Sequence, residues 1–315
     1  MATSLTISSS SYAGALALPY IQAAILSGDT LAKGYVAIKE NVKYKAVIKK
    51  LSSSGLVVAA TCDFTTAGSV TLAETVLTTT DLNTNVELCK KQFVQDWEAY
   101  NTGAGFINDV VPVEFADFML AHIAAKVGEA IEYNLWQGNF DAASSNATPT
   151  YTAFTGLLRL IDNAKSGTPD VDFSAATSAS TVIAQMQSVL AALPSTLIGK
   201  TDTVKLYVNR KTAQFYRQAI NTLGFQFTYN ATENAPVLID GYEIYVCPGI
   251  PDSTMVAAEA DNLFFGTDLL SDLNEAKVID MSMTDGSDNV RVAMRYRCGT
   301  AIGFGADIAL GYVNP

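Results

Sequence analysis

The sequence predicts an α+β fold, and three observations carry the prediction. Residues 112–137 read as one long helix, with apolar residues returning every fourth position and no proline after the first. Two stretches of β-prone, alternating sequence, 36–95 and 278–312, flank it. From about residue 203 a strand, a helix and a hairpin follow in close order, an α/β segment set inside the larger plan.

Residues 1–35 open with a Ser/Thr-rich run and continue as SYAGALALPYIQAAILSGDTLAKG. This is more apolar than a free tail should be. We read an extended arm with a short helical piece, lying on a neighbouring surface. No basic stretch opens the chain, and the apolar residues 13–26 hold Pro19 and are too few to span a bilayer, so no secretory signal or membrane partner is read.

Residues 36–95 read as strands. Val42 to Ala46 alternate apolar and basic, and Ser52-Ser53-Ser54-Gly55 breaks the pattern. Two runs, GLVVAATCDF and SVTLAETVLTTT, then flank Thr65-Thr66-Ala67-Gly68 as a long hairpin. Such a hairpin is not stable alone in water and needs partners on its flanks. Lys39, Lys43, Lys45, Lys49 and Lys50 form a basic stripe, read as a solvated strand face, with packaged nucleic acid the alternative contact.

In the long helix, Pro112 suits a first helical position, and Glu114 and Asp117 place negative charge where the helix dipole favours it. Phe115, Met119, Ile123, Val127, Ile131 and Leu135 make the apolar stripe. Ala121, Ala124, Ala125 and Gly128 make a small-residue surface, and Gly138 is placed as the residue that ends the helix. At 1.5 Å per residue the helix is about 39 Å long, enough to cross a domain.

Phe154, Leu157, Leu158 and Ile161 predict a short helix. Ile183, Met186, Leu190 and Leu193 predict an amphipathic one that stops before Pro194. Val204, Leu206 and Val208 alternate as a strand, Asn209 reads as a helix N-cap, and Ala213, Tyr216, Ile220 and Leu223 continue as a helix closed by Gly224. VLIDGYEIYV is a hairpin with Asp240-Gly241 at its turn. The last stretch is a longer hairpin. Ile279, Met281 and Met283 lead to a turn at 284–289, and Val290, Val292, Met294 and Tyr296 return, alternating with Arg291, Arg295 and Arg297. That arginine row is read as a structural or inter-subunit charge row, because no glycine-rich cradle opens a helix beside it.

Composition narrows the function classes. Charged residues are 16% of the 315-residue chain and the mean hydropathy is +0.20. A lone soluble subunit carries more surface charge than this, so much of the surface is expected to be covered by other copies. A net charge of −11 argues against a nucleic-acid reader held by phosphate contacts. Cys62, Cys89, Cys247 and Cys298 form no CxxC pair, and His122 is the single histidine, so neither a metal site, a cofactor site nor a His-based triad is signalled. No nucleophile elbow or phosphate loop is present, and no catalytic residue is assigned. Glu129 and Glu132 could form a carboxylate pair, but a solvated helix face is the commoner case.

Taken together, AIEYNLWQGN, AALPSTL, LYVNRKTAQFYRQAI, VLIDGYEIYVCPGIP, NLFFGTDL and VRVAMRYRCGTAIGFGADIAL occur in an order and spacing that resembles the major capsid protein of tailed bacteriophages, the Hong Kong 97-type coat fold. The resemblance covers nearly the whole chain. It implies an N-terminal arm at 1–35, an E-loop region at 36–95, a peripheral domain from 96–202 and 278–315 with its spine helix at 112–137, and an axial domain at 203–277. It implies a structural protein, not an enzyme, assembling through pentamers and hexamers into an icosahedral head around double-stranded DNA, without sequence-specific binding. Its partners would be further copies of itself, a portal protein and scaffold or decoration proteins. Its place would be the virion, with assembly in the bacterial host cytoplasm. About a hundred residues precede the spine, so no cleaved scaffolding segment is expected. Inter-subunit contact is expected at Thr65, Thr66, Gly68 and Ser69 of the hairpin, at Asp285, Gly286 and Asp288 of the closing turn, and at Tyr229 and Asn230. An encapsulin-like nanocompartment shell, an α+β enzyme and a tail-tube protein stay open as alternatives.

Overall fold

The computed structural model of the chain describes residues 10–13, 29–60, 62, 66, 68–89, 113–140, 151–222, 237–268, 275–281, 286–287 and 289–313. Two six-stranded sheets and a projecting hairpin are arranged around one long helix. The first sheet has the order β1 (Ser10–Ala13), β12 (Glu275–Asp280), β13 (Asn289–Ile302), β11 (Leu263–Thr267), β2 (Ala37–Lys39), and β5 (Thr80–Cys89) pairs with β13. The second has the order β6 (Val171–Asp172), β14 (Ala309–Tyr312), β10 (Thr254–Glu259), β7 (Val204–Val208), β9 (Tyr242–Val246), β8 (Leu238–Ile239). The hairpin is β3 (Lys45–Ser54) with β4 (Ser69–Thr78). The described helices are α1 (Asp29–Ala32), α2 (Val113–Gln137), α3 (Leu157–Ala164), α4 (Val182–Ala191) and α5 (Arg210–Thr222).

Period-2 alternation divides the second sheet between two cores. Tyr207, Val256, Ala258, Leu310 and Tyr312 face a core shared with α2, α3 and the first sheet. Leu206, Val208, Met255, Ala257 and Ala309, one residue out of phase, face α4 and α5. The helical stripe is where its spacing places it: Ile123, Val127, Ile131 and Leu135 are buried, and Trp136 joins them. Each such side chain contributes roughly 1.5–3 kcal/mol on burial, so the helix is held by packing rather than by propensity. The small-residue surface is split, with Ala124 and Gly128 buried but Ala121 and Ala125 exposed.

Gly138 does not end the helix through its own backbone freedom. The left-handed residue is Asn139, at φ 55°, and Gly138 is required by space. A Cβ there would collide with the Phe154 carbonyl and come within 2.7 Å of the Gly156 nitrogen. The chain after the helix folds back through Gly156 N–H to the Gly138 carbonyl at 2.7 Å. Asn209 caps α5 as expected, its Oδ1 accepting from Thr212 N–H at 2.7 Å. Asp240 and Gly241 both take positive φ at the β8–β9 turn.

Two further expectations are corrected. The N-terminal segment does not lie wholly on a neighbour: Thr30 and Leu31 are buried in this chain's own core, and β1 pairs with its own β12. The hairpin's first strand is not GLVVAATCDF but Lys45–Ser54. The serine run continues the strand, because its alternation is carried by cross-strand pairing with Ser69, Val70 and Thr71 rather than by apolar content.

Candidate assembly surface

β3 and β4 pair over ten residues each, from Lys45 opposite Thr78 to Ser54 opposite Ser69. Gly55 and Gly68, both at φ 66°, form the neck of the loop beyond. A Cβ on Gly68 would strike the Ser54 carbonyl and approach Gly55 C at 2.6 Å. Only glycine permits both the conformation and the approach.

The two faces of this hairpin differ. At the base, Leu77 is fully buried with Val42 and Ala301, and it packs so closely on β11 that a Cβ on Gly266 would meet its Cδ2 at 2.6 Å. Thr79 joins β4 to β5 and donates its N–H to the Tyr44 carbonyl at 3.0 Å. Further out, Lys50 Nζ lies 5.3 Å from the Phe304 ring centroid, and burial lowers its pKa. Among the described residues the opposite face has no such cover. Val47 lies opposite Val76 and Leu51 opposite Leu72, with Val70 beyond, and all five are 48–67% exposed. The loop continues the apolar surface through Leu56, Val58 and Val57, which is 94% exposed.

This outward apolar face was not singled out in the sequence, although a signal was there. Val47 and Leu51 fall on one parity of β3, Ala46 and Ile48 on the other. A strand apolar on both faces is a strand covered on both faces. In a two-stranded hairpin, one of those covers must come from elsewhere.

The other expected contact residues are placed as follows. Thr66 and Gly68 are exposed in the hairpin loop, and Ser69 opens β4, its Oγ 3.2 Å from Ser54 Oγ. Gly286 is exposed, at φ 73°. Thr65, Asp285, Asp288, Tyr229 and Asn230 lie outside the described residues.

The arginine row belongs to the first sheet itself. Arg291 donates to Glu87 at 3.1 Å and Arg297 pairs with Asp81, each directly opposite its partner across β5 and β13. The carboxylate pair Glu129/Glu132 is not a solvated face. Glu129 is exposed and bonded to Lys126 at 2.9 Å, whereas Glu132 is 3% exposed. Glu132 accepts from Thr30 N–H at 3.2 Å and from the Thr30 hydroxyl, which in turn accepts from Trp136 Nε1 at 3.1 Å. Burial raises its pKa despite the donors, Gly249 N–H among them. The two carboxylates point apart, so they do not make an acid–base pair.

Among the described residues, no group of three or more His, Cys, Asp and Glu side chains could hold a metal ion. No described helix is long and apolar enough to cross a membrane. All four cysteines are free, Cys62 and Cys89 exposed, Cys247 and Cys298 buried.

No family model matches the chain, and no curated protein matches its sequence. Solved structures do match. A chain of the "Satellite phage P4 procapsid including size determination (Sid) protein" superposes with TM-score 0.57 at 11% identity, covering 93% of this chain and 98% of that one. A chain from the "Capsid of native GTA particle" gives 0.55 at 13% identity, covering 93% and 91%. One from Mycobacterium phage Bobi gives 0.55 at 11% identity, covering 91% of each. At such identities the likeness is one of fold: this chain has the α+β fold of phage capsid proteins.

Proposed function

We propose that this chain is the major capsid protein of a tailed bacteriophage, assembling through pentamers and hexamers into an icosahedral shell that encloses double-stranded DNA. The observation that carries the reading is the β3–β4 hairpin, anchored at its base and apolar along a face that no described residue of its own chain covers. A single subunit exposes that area at a cost, and a shell removes it from water by seating the hairpin on the next copy. The fold likeness to phage particle chains supports the same reading.

In these terms residues 36–95 are the E-loop region and α2 is the spine helix. Residues 96–202 and 278–315 are the peripheral domain, 203–277 the axial domain and 1–35 the arm. Thr66, Gly68, Ser69 and Gly286 are the described contact positions. Partners are further copies, a portal protein and scaffold or decoration proteins, with assembly in the bacterial cytoplasm and residence in the virion. The negative total charge suits a wall that does not grip its cargo.

Negative-stain electron microscopy of the purified chain tests this. Closed even-sized shells or capsomer rings are expected. A monodisperse single chain at all concentrations, with and without co-expressed phage assembly proteins, is the result against it. Shells filled with protein instead of DNA in the native particle would favour a nanocompartment.

A further inference from the structure

β5 keeps one edge on β13 for its full ten residues, from Cys89 opposite Asn289 to Thr80 opposite Cys298, with no residue skipped. Among the described residues no strand occupies its other edge. Natural proteins blunt an edge of this length with lysine, proline or a bulge, because an open row of N–H and C=O groups pairs with any strand that reaches it. TDLNTNVELC contains neither lysine nor proline, and the unbroken register leaves no bulge. The hairpin has the matching need. Among the described residues it is a two-stranded sheet with both outer edges open, and such a unit is marginal in water without further strands or packing.

Charge decides which edges suit each other. β13 carries Arg291, Arg295 and Arg297 and no acid. β5 carries Asp81 and Glu87 and no base, β3 carries Lys45, Lys49 and Lys50 and no acid, and β4 carries Glu74 and no base. Inside the chain, neighbouring strands already follow opposite sign, with Arg291 opposite Glu87, Arg297 opposite Asp81 and Lys49 opposite Glu74. Opposite charges across strands stabilise the pair and like charges directly opposite destabilise it. A copy's β4 or β5 beside β5 would set acid against acid. β3 keeps the signs alternating, and it matches β5 in length at ten residues.

We propose that in the assembled particle β3 of one copy pairs along the free edge of β5 of the next, making one sheet in the order β13, β5, β3, β4 across the subunit boundary. The inference rests on the shell-subunit reading and specifies how its hairpin is received. The contact joins two different surfaces, as ring closure requires, and it extends the neighbour's first sheet into the hairpin.

Hydrogen exchange on the unmodified chain tests it without any substitution. Amides of residues 45–54 and 80–89 should both exchange about tenfold or more slowly in particles than in dissociated chain. Protection of 80–89 with none in 45–54 overturns the assignment of β3. A second measurement uses Cys89, exposed at the end of β5, as reporter in a Cys62→Ser background. With Lys45→Cys or Ser54→Cys added, one of the two, at whichever end of β3 meets Cys89, should give a covalent ladder with a short bis-maleimide in assembled protein. Particles that form normally but show neither protection nor ladder overturn the strand pairing and leave the capsid reading standing. Failure of the unmodified chain to form any particle, with and without co-expressed phage assembly proteins, overturns both.

Discussion

Glu132, in the middle of the long-helix core, receives both the backbone N–H and the hydroxyl of Thr30 from more than a hundred residues earlier in the chain. The hydroxyl also accepts from Trp136 Nε1, so one threonine side chain satisfies two buried groups on α2. The end of the N-terminal segment is thereby fixed to the helix, and Arg210 of α5 holds Asp29 beside it.

Thr30→Val tests that junction. It keeps the shape and the N–H but removes the hydroxyl, leaving a carboxylate oxygen and an indole N–H short of a partner. A loss of about 1–3 kcal/mol is expected, read as a lower denaturant midpoint with an unchanged slope. An unchanged midpoint would mean that water replaces the hydroxyl.

The pH dependence has a definite sign. Burial raises the Glu132 pKa above its ordinary 4.5. A carboxyl raised by folding adds stability that is complete below the unfolded value and is lost as pH rises through the folded one. The stability of dissociated wild type relative to Glu132→Gln should therefore fall as pH rises from about 4.5. Thermal melts across that range measure it, and a difference that grows with pH would mean the Thr30 and Gly249 donors outweigh burial.

Leu77 belongs to the subunit although most of its strand faces outward. Leu77→Ala should cost about 2–5 kcal/mol, because a fully buried leucine leaves a cavity. Val57→Ser, at the most exposed of the described apolar positions of the hairpin, should leave the melting temperature of the dissociated chain unchanged and weaken particle formation. Equal effects of the two on folding would remove the distinction between base and face.

Replacing residues 54–69 by a two-residue Asn-Gly turn should leave a folded subunit that forms no closed particle, by sedimentation. The wider deletion 54–80 is expected to fail earlier, at folding, since it removes Leu77 and Thr79 from the base. Normal particles from the short-turn variant would contradict the assembly role of the hairpin.

Thiol accessibility provides a further check. In dissociated native chain Cys62 and Cys89 should react with a maleimide and Cys247 and Cys298 should not. Burial pushes both inner thiols far above the usual thiol range. Assembly should slow the reaction at Cys89 if its strand edge is covered.

The sequence by itself determined the elements. Spacing of Ile123, Val127, Ile131 and Leu135 marked the buried side of the long helix, Asn209 the cap of α5, Asp240-Gly241 a turn, and Val290 to Tyr296 an alternating strand. Each of these is a local rule, legible because the partner groups lie within a few residues. Tertiary structure decided what depends on distant groups. Glu132 looked like a surface residue until Thr30 arrived from the far end of the chain. Gly138 looked like a helix terminator until the return of Phe154 and Gly156 filled the space beside it. The hairpin's true first strand was set by register, not composition, since Ser52, Ser53 and Ser54 carry no apolar signal and are held in place by their pairing with β4.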